Sequence, residues 1–360
     1  MRLLVDAHVF DGKFQGTRTY IEGMYRKLIE HDDIDFYFAA QDIVGLMNVF
    51  GERENVHYVQ LESGGSINRL VLQWPKIVKM YDIDWAHYQY ISPLCKCCKE
   101  IVTVHDLLFL DMPAFFPWSY RLKNELLFYR SAKRADLLLT VSEFSKEEIV
   151  RHFKILPENI YITPNSVLYI KEPVVLPDVK SKWGLCQFIL TVGRYEPRKN
   201  LVMLMRAFAE LELHKRGYKL VIIGSPDINY NEFYNFLDNA TASLKSSIII
   251  DKASFLELIA LYKQASLFVF PSLGEGFGIP PLEAVVYKCP LLCSKVTAMA
   301  EFGLPDELLF SPTDIDELKA KMNNILSGQY VNIDREALLE KFSWQRSADV
   351  LYSRLIDMTK

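Results

Sequence analysis

Short apolar runs recur along this chain, and most are followed by a stretch in which apolar residues return every three or four positions. In the first half LLVDAHV (3–9), DFYFAA (35–40), VHYVQL (56–61), WAHYQY (85–90), IVTVH (101–105), LLLTVS (137–142) and IYITP (160–164) have the length and the β-branched and aromatic content of strands. IEGMYRKLIE (21–30), INRLVLQWPKIVKMY (67–81), SYRLKNELLFYRSAKRA (119–135) and EFSKEEIVRHFKI (143–155) carry the helical period. Such alternation predicts an α/β fold with a largely parallel sheet covered on both faces. After Asn165 the pattern lapses through SVLYIKEPVVLPDVKSKWG (166–184), where Pro173 and Pro177 mark a linker. A second series follows: FILTVG (188–193), KLVIIGS (219–225), SIIID (247–251), SLFVFPS (266–272), PLLCS (290–294) and ELLFS (307–311). Two Rossmann-like domains are expected, over 1–168 and 169–343, with the final helix (344–360) packed back on the first. Their carboxyl-end loops should face a central cleft, where ligands of open parallel sheets bind.

The stretch EGFGIPPLE (275–283) joins one of these strands to a helix opened by Pro280 and Pro281. Gly276 and Gly278 let the backbone approach a ligand, and free amides around Phe277 and Ile279 at the helix start favour electronegative groups. Glu275 and Glu283 frame the loop, as carboxylates that bind sugar hydroxyls do in dinucleotide folds. The alternative is a strand-to-helix turn whose glycines serve packing only. Upstream, VGRYEPRKN (192–200) leaves another strand with Arg194 and Lys199 flanking a turn. Two cations there fit a diphosphate clamp, against the plainer reading of two solvated surface charges. Together the two stretches are equipped for a nucleotide sugar.

VGRYEPRKN followed by the E-x7-E of EGFGIPPLE resembles the retaining glycosyltransferases of family four, which have the two-Rossmann-domain GT-B fold. QGTRTY (15–20), TVHDLLFLDMP (103–113), TVSEFSKEEI (140–149), ITPNSV (162–167) and FSW (342–344) extend the resemblance along nearly the whole chain. It implies that His105 lies against the donor sugar, that Glu275 binds the transferred sugar, and that Glu301 in MAEFG matches a less strict family position. Gly16, at the start of the first helix, could offer its amide to a phosphate; the family often has Gly and Arg where this chain has Arg18 and Thr19. Base selection is placed at Asp251, Lys252 and Ala253, where backbone groups leave a strand. General resemblance to bacterial surface-polysaccharide mannosyltransferases favours GDP-mannose, with UDP-glucose and UDP-N-acetylglucosamine as other donors. A sugar-nucleotide epimerase or a non-catalytic nucleotide-sugar-binding subunit of the same fold is the competing function.

Composition narrows this further. The chain has 360 residues, 50% of them hydrophobic, and a formal net charge of −4, which does not suit a nucleic-acid-binding body. No apolar run reaches the roughly 18–20 residues of a membrane helix, and MRLLVDAHVF enters a strand pattern without a signal peptide's core, so a cytoplasmic location is expected. Cys95, Cys97 and Cys98 crowd together without a second ligand pair and read as free thiols, like Cys186, Cys289 and Cys293. Three Asp-x-Asp pairs, Asp33/Asp35, Asp82/Asp84 and Asp314/Asp316, fall at turns or a helix start and read as structural. No metal or cofactor is therefore expected: cations and helix amides would take the leaving diphosphate's charge. The segment 119–135 mixes Arg121, Lys123, Arg130, Lys133 and Arg134 with aromatic and leucine residues. It allows a peripheral stay on an anionic membrane, where a lipid-linked glycan acceptor would be met, or else a packed helix with a solvated charged face.

Overall fold

The computed structural model describes residues 1–12, 16–168, 174–226, 230–329 and 331–359. Gln15 of QGTRTY and residues 169–173 of the expected linker lie outside the described residues. The chain divides into two compact units, Met1–Leu168 with Lys341–Lys360, and Tyr169–Glu340.

The first unit is built on seven strands in the order β3-β2-β1-β4-β5-β6-β7. They are β1 (Arg2–Asp6), β2 (Asp35–Ala40), β3 (Val56–Gln60), β4 (Trp85–Gln89), β5 (Lys99–Thr103), β6 (Leu137–Thr140) and β7 (Ile160–Ile162). Every pairing is parallel, with Leu3 in register with Phe36 on one side and Trp85 on the other. A parallel sheet must be covered on both faces, which is why β1, β4, β5 and β6 read as nearly unbroken apolar runs. Val102, Val104 and Leu138 pack against Phe128, Ile149 and Phe153 of the helices Trp118–Arg134 and Glu143–Phe153.

The second unit holds six strands in the order β10-β9-β8-β11-β12-β13. They are β8 (Gln187–Val192), β9 (Tyr218–Ile223), β10 (Ile248–Asp251), β11 (Leu267–Phe270), β12 (Leu291–Ser294) and β13 (Leu309–Phe310), all parallel. Its core joins Ile189, Leu220, Ile222, Leu267 and Val269 to Leu204, Met205 and Phe208 of the helix Leu201–Glu210. In each sheet the strand order reverses once, between β1 and β4 in the first and between β8 and β11 in the second. The expected α/β architecture is present in both halves.

Three local readings of the sequence need correction. β1 stops at Asp6 instead of running to Val9: the Ala7 amide makes the last sheet bond to Ala39, and His8–Phe10 then close a 3-10 turn. His105 stands two residues beyond the end of β5 and does not end it. The helix expected over 67–81 is broken into Gly65–Asn68, a π turn Arg69–Gln73 and Trp74–Tyr81. Pro75 has no amide to donate four residues back, and the wider turn absorbs that loss.

The helix Trp344–Asp357 is capped by Ser343 and lies on the helix Gly16–Leu28 of the first unit. Trp344 meets Tyr20 edge-on at 6.3 Å, Ser347 Oγ donates to the Pro164 carbonyl at 2.7 Å, and Tyr352 donates to Asp33 at 3.0 Å. Gly23 makes this close approach possible, because a Cβ there would land on the Trp344 indole. Gly23→Ala should therefore destabilise the protein by about 1–3 kcal/mol despite alanine's better helix propensity, read as a lower urea midpoint with an unchanged slope.

Candidate functional site

In the second unit, the loops after β8 and β11 flank the point where the strand order reverses, the usual ligand position in an open parallel sheet. After β8 the chain turns through a 3-10 segment, Pro197–Lys199, and Asn200 takes a left-handed conformation (φ 55°) before the helix Leu201–Glu210. The Leu273 amide donates to the Arg198 carbonyl at 2.8 Å, and Asn200 Nδ2 donates to the Pro312 carbonyl at 2.8 Å. The first bond fixes the β8 turn against the β11 loop, and the second ties it to the segment after β13.

Glu275 is the centre of this arrangement. It is 8% exposed, and its Oε1 accepts from Lys199 Nζ and Ser272 Oγ, each at 2.6 Å. Its Oε2 lies 2.9 Å from Arg198 NH1, and its amide donates to Thr297 Oγ1 at 2.9 Å. Burial alone would raise its pKa, but Arg198, Lys199 and the hydroxyl outweigh that and hold it at about 2. Burial draws Lys199 down from its ordinary value while Glu275 opposes the fall. Arg198 also bonds Glu196 and the Gly274 carbonyl. The cation pair on Glu275 is thus Lys199 with Arg198. Arg194 stands exposed at the β8 exit. Arg198, Ser272 and Thr297 were not legible as site residues, although the adjacent cations of EPRKN were a signal for Arg198.

The helix Ile279–Val286 begins after Gly278, whose φ of 94° and close neighbour Met299 Cγ, 3.1 Å from an added Cβ, both favour glycine. Pro280 and Pro281 occupy its first turn, where their missing amides cost no helix bond, and Gly276, Phe277, Gly278 and Ile279 lead the chain into it. Phe277 is buried against Phe302 at 5.6 Å. Glu283 accepts from the Tyr262 hydroxyl at 2.8 Å, and burial pushes its pKa up to about 7. The two carboxylates of E-x7-E therefore differ sharply in their readiness to ionise. At β10, Asp251 serves the scaffold: its carboxylate accepts from Trp183 Nε1 at 2.8 Å and from the Lys252 amide, and its carbonyl accepts from the Gly224 amide. Lys252 is exposed and Ala253 half-buried beside it.

In the first unit, His105 is buried and its Nε2 pairs with Gln89 Oε1 at 2.8 Å. Burial lowers its pKa to about 3, so the ring is neutral. Gly16 is the exposed first residue of its helix, and Arg18 lies over the Phe10 ring at 4.6 Å. The six cysteines are free thiols. The Asp-x-Asp pairs make scaffold contacts: Asp84 accepts from the Arg2 amide, Asp33 from Tyr352, and Asp314 caps the helix Ile315–Leu326. Among the described residues one trio could ligate a metal, Asp111, Glu148 and His152, and there the Arg151 guanidinium already bonds both carboxylates. No described helix is long and apolar enough to cross a membrane.

The helix Trp118–Arg134 reverses the expected basic face. Arg130 donates to the carbonyls of Pro93 and Leu94, and Arg134 pairs with Glu100 at 2.8 Å, so both guanidinium groups are spent on the protein. What is exposed is an apolar ridge at helical spacing, Trp118 (74%), Leu122, Leu126 (62%) and Tyr129, beside Lys123 and Lys133.

Comparison with known proteins bears on the family and the fold. Residues 185–341 match the model of glycosyl transferases group 1, and residues 16–167 match that of glycosyltransferase family 4. O-antigen chain mannosyltransferase B of Escherichia coli is 29% identical over 282 residues, 73% of this chain and 72% of that protein. Serotype-specific mannosyltransferase WbdA of the same organism is 30% identical over 247 residues, 63% of this chain but only 30% of that longer protein. Among solved structures, a sucrose-phosphate synthase from Thermosynechococcus elongatus has a TM-score of 0.75 at 18% identity, and Anabaena HepE in complex with UDP-glucose has 0.73 at 15%. Each alignment covers 99% of both chains, and these likenesses establish the fold.

The ionisation of Glu275 makes a prediction about acid stability. Its folded pKa of about 2 lies below the ordinary 4.5, so its contribution is present above about pH 4.5 and is lost as pH falls towards 2. Glu275→Gln should cost on the order of 3 kcal/mol at pH 7. The difference in melting temperature from the unaltered protein should then narrow from pH 4.5 downwards. A gap that stays constant to pH 3 would mean that the buried ion triple contributes nothing.

Proposed function

The chain belongs to the group 1, family 4 glycosyltransferases, and from that premise we propose that it transfers a hexose from a nucleoside-diphosphate sugar to a glycan or lipid-linked acceptor, with retention at the anomeric carbon, in cell-surface polysaccharide synthesis. The observation that carries this reading is Glu275, ionised and held between Lys199 and Arg198 at the sheet's reversal point. A carboxylate so placed accepts hydrogen bonds from the hydroxyls of a sugar. Lys199 is neutralised by Glu275. A diphosphate entering the loop competes for that cation, and Glu275, released on one oxygen, then takes the sugar. The helix start at Gly276–Ile279 and Arg194 add positive potential for the phosphates, and the Ala253 backbone is left to read the base. In this reading no metal is required.

Retention through a covalent intermediate would need a nucleophilic carboxylate about 5 Å from an acid/base partner. Glu275 keeps Arg198 and the Ser272 hydroxyl when Lys199 turns to the diphosphate, which leaves it a poor nucleophile and suits it to binding. We therefore favour front-face attack: the bond from the anomeric carbon to the phosphate oxygen breaks, the acceptor oxygen bonds the same face, and its proton passes to the departing phosphate. Lys199 stabilises the charge that develops there. GDP-mannose is the preferred donor, because the relatives named above are mannosyltransferases.

The decisive experiment incubates the protein with GDP-mannose, UDP-glucose or UDP-N-acetylglucosamine and a lipid-linked glycan fraction, and reads the anomeric configuration of the product by NMR. Transfer from GDP-mannose with retention is expected, and Lys199→Ala should lower kcat by roughly a hundredfold or more. Conversion of the nucleotide sugar without any acceptor would identify an epimerase instead.

The acceptor side of this reading includes a reversible stay at an anionic membrane surface inside the cell. The apolar ridge Trp118, Leu122, Leu126 and Tyr129 with its flanking lysines supports it, having the amphipathic character of an interfacial helix. Leu122→Asp with Leu126→Asp should reduce sedimentation with phosphatidylglycerol vesicles by at least tenfold, since at about 0.8 kcal/mol for each methylene withdrawn from lipid the loss of two already suffices. If the unaltered protein ignores such vesicles at low salt, the membrane contact is wrong.

A further inference from the structure

In the second unit the candidate donor groups sit on the two strands that flank the reversal of strand order. The first unit has a reversal of its own, between β1 and β4, and polar groups stand there that the core does not require. Asp6, the last residue of β1, is only 2% exposed, yet its Oδ1 accepts from the His8 amide at 3.2 Å and lies 2.6 Å from His8 Nδ1. Burial opposes its charge, but His8 and then Arg69 outweigh burial and keep it ionised below its ordinary value. The turn that carries His8 is rigid: Phe10 is buried, packs on Phe50 at 6.1 Å and lies under Arg18. The His8 ring nevertheless keeps 27% of its surface open. With Nδ1 committed to Asp6, Nε2 is the nitrogen left for a ligand.

A second observation comes from the neighbouring strand. Gln89, the last residue of β4, gives its Oε1 to His105, while its buried Nε2 has no hydrogen-bond partner. A buried amide without a partner marks a place where a polar group is missing, since such groups are almost always satisfied. The carboxyl edge of the first sheet thus carries a fixed acceptor nitrogen on β1's exit and an unused donor on β4's end. An acceptor nitrogen and an unused donor beside the ionised Asp6, with Arg69 close enough to act on that carboxylate, suit a ligand rich in hydroxyls.

We propose that Asp6 and His8 form a hydroxyl-binding dyad for the acceptor sugar. The carboxylate holds His8 as the Nδ1–H tautomer, and Nε2 accepts the hydrogen bond of an acceptor hydroxyl, as a carboxylate orients a histidine in hydrolytic triads. The dyad binds and aims the acceptor; the proton still leaves on the donor's phosphate. This inference rests on the transferase function proposed above and adds to it the residues that recognise the acceptor.

The test measures transfer from GDP-mannose to a lipid-linked glycan fraction by His8→Phe, His8→Gln and Asp6→Asn, with acceptor KM, kcat and the Kd for GDP determined separately. His8→Phe should raise the acceptor KM at least tenfold, His8→Gln should recover part of the loss, and the Kd for GDP should stay within twofold of the unaltered protein. Asp6→Asn should shift the His8 tautomer in 15N NMR and weaken the acceptor likewise. His8 is part-exposed, so its variants test the dyad even if Asp6→Asn does not fold. An acceptor KM unchanged in His8→Phe, or a fall confined to GDP affinity, overturns the dyad. If the unaltered protein transfers nothing from any nucleotide sugar, the transferase function itself fails, and that outcome is distinct from the failure of the dyad.

Discussion

A carboxylate at 8% exposure is affordable only with partners, and Glu275 has three, Lys199, Arg198 and Ser272, all donated by the loops after β8 and β11. Breaking such a triple by removing one member leaves a buried charge uncompensated, which is far costlier than never having built it. The two loops are therefore bound to each other by charge as well as by the backbone bond from Leu273 to Arg198. That constraint explains why the surrounding turn needs Asn200 in a left-handed conformation and Gly278 with a positive φ: the chain is bent to bring four side chains to one point. The same carboxylate can exchange a protein cation for sugar hydroxyls with little reorganisation, because its position is already fixed.

Much of this is legible in the sequence. Each of the thirteen strands among the described residues overlaps one of the apolar runs, because buried parallel strands are short, rich in Val, Ile, Leu and Phe, and separated by turn chemistry. The two loops that carry Glu275 and Lys199 were legible for the same reason, as glycine, proline and charge directly after a strand. What the sequence did not disclose is direction. Arg194 and Arg198 are chemically alike and four residues apart, and only the 3-10 turn decides that Arg198 points at Glu275. Arg130 and Arg134 looked like a basic surface and instead close off the 92–94 segment and Glu100. The helix face they leave exposed is apolar, the opposite of what a charge count implies.

Polar residues inside strands posed the converse problem. His87 in β4 is fully buried, held between the Tyr25 hydroxyl at 2.6 Å and Thr103 Oγ1 at 2.7 Å, and Thr103 passes the chain on to Tyr20 and Thr163. Burial lowers its pKa to about 3, so it is a neutral member of a satisfied network. Nothing in the local pattern WAHYQY separates this histidine from His105, or either of them from His8. His87 lies within β4, whereas His8 and His105 each stand two residues beyond their strands, and it is the turn that follows which leaves His8 part-exposed and buries His105.

The return of the helix Trp344–Asp357 to the first unit has a consequence for how the molecule is made. The second unit is an insertion in a unit whose own sequence is interrupted, since residues 1–168 are completed only by 341–360. During synthesis the first sheet emerges early, but the side of helix Gly16–Leu28 that receives Trp344 stays uncovered until the helix Trp344–Asp357 has left the ribosome. By then the inserted unit has been fully extruded and can close its own core. The order of emergence and the order of completion are thus reversed, and the half that appears first is the half that must wait, with an apolar seam open to chaperones or to wrong partners meanwhile.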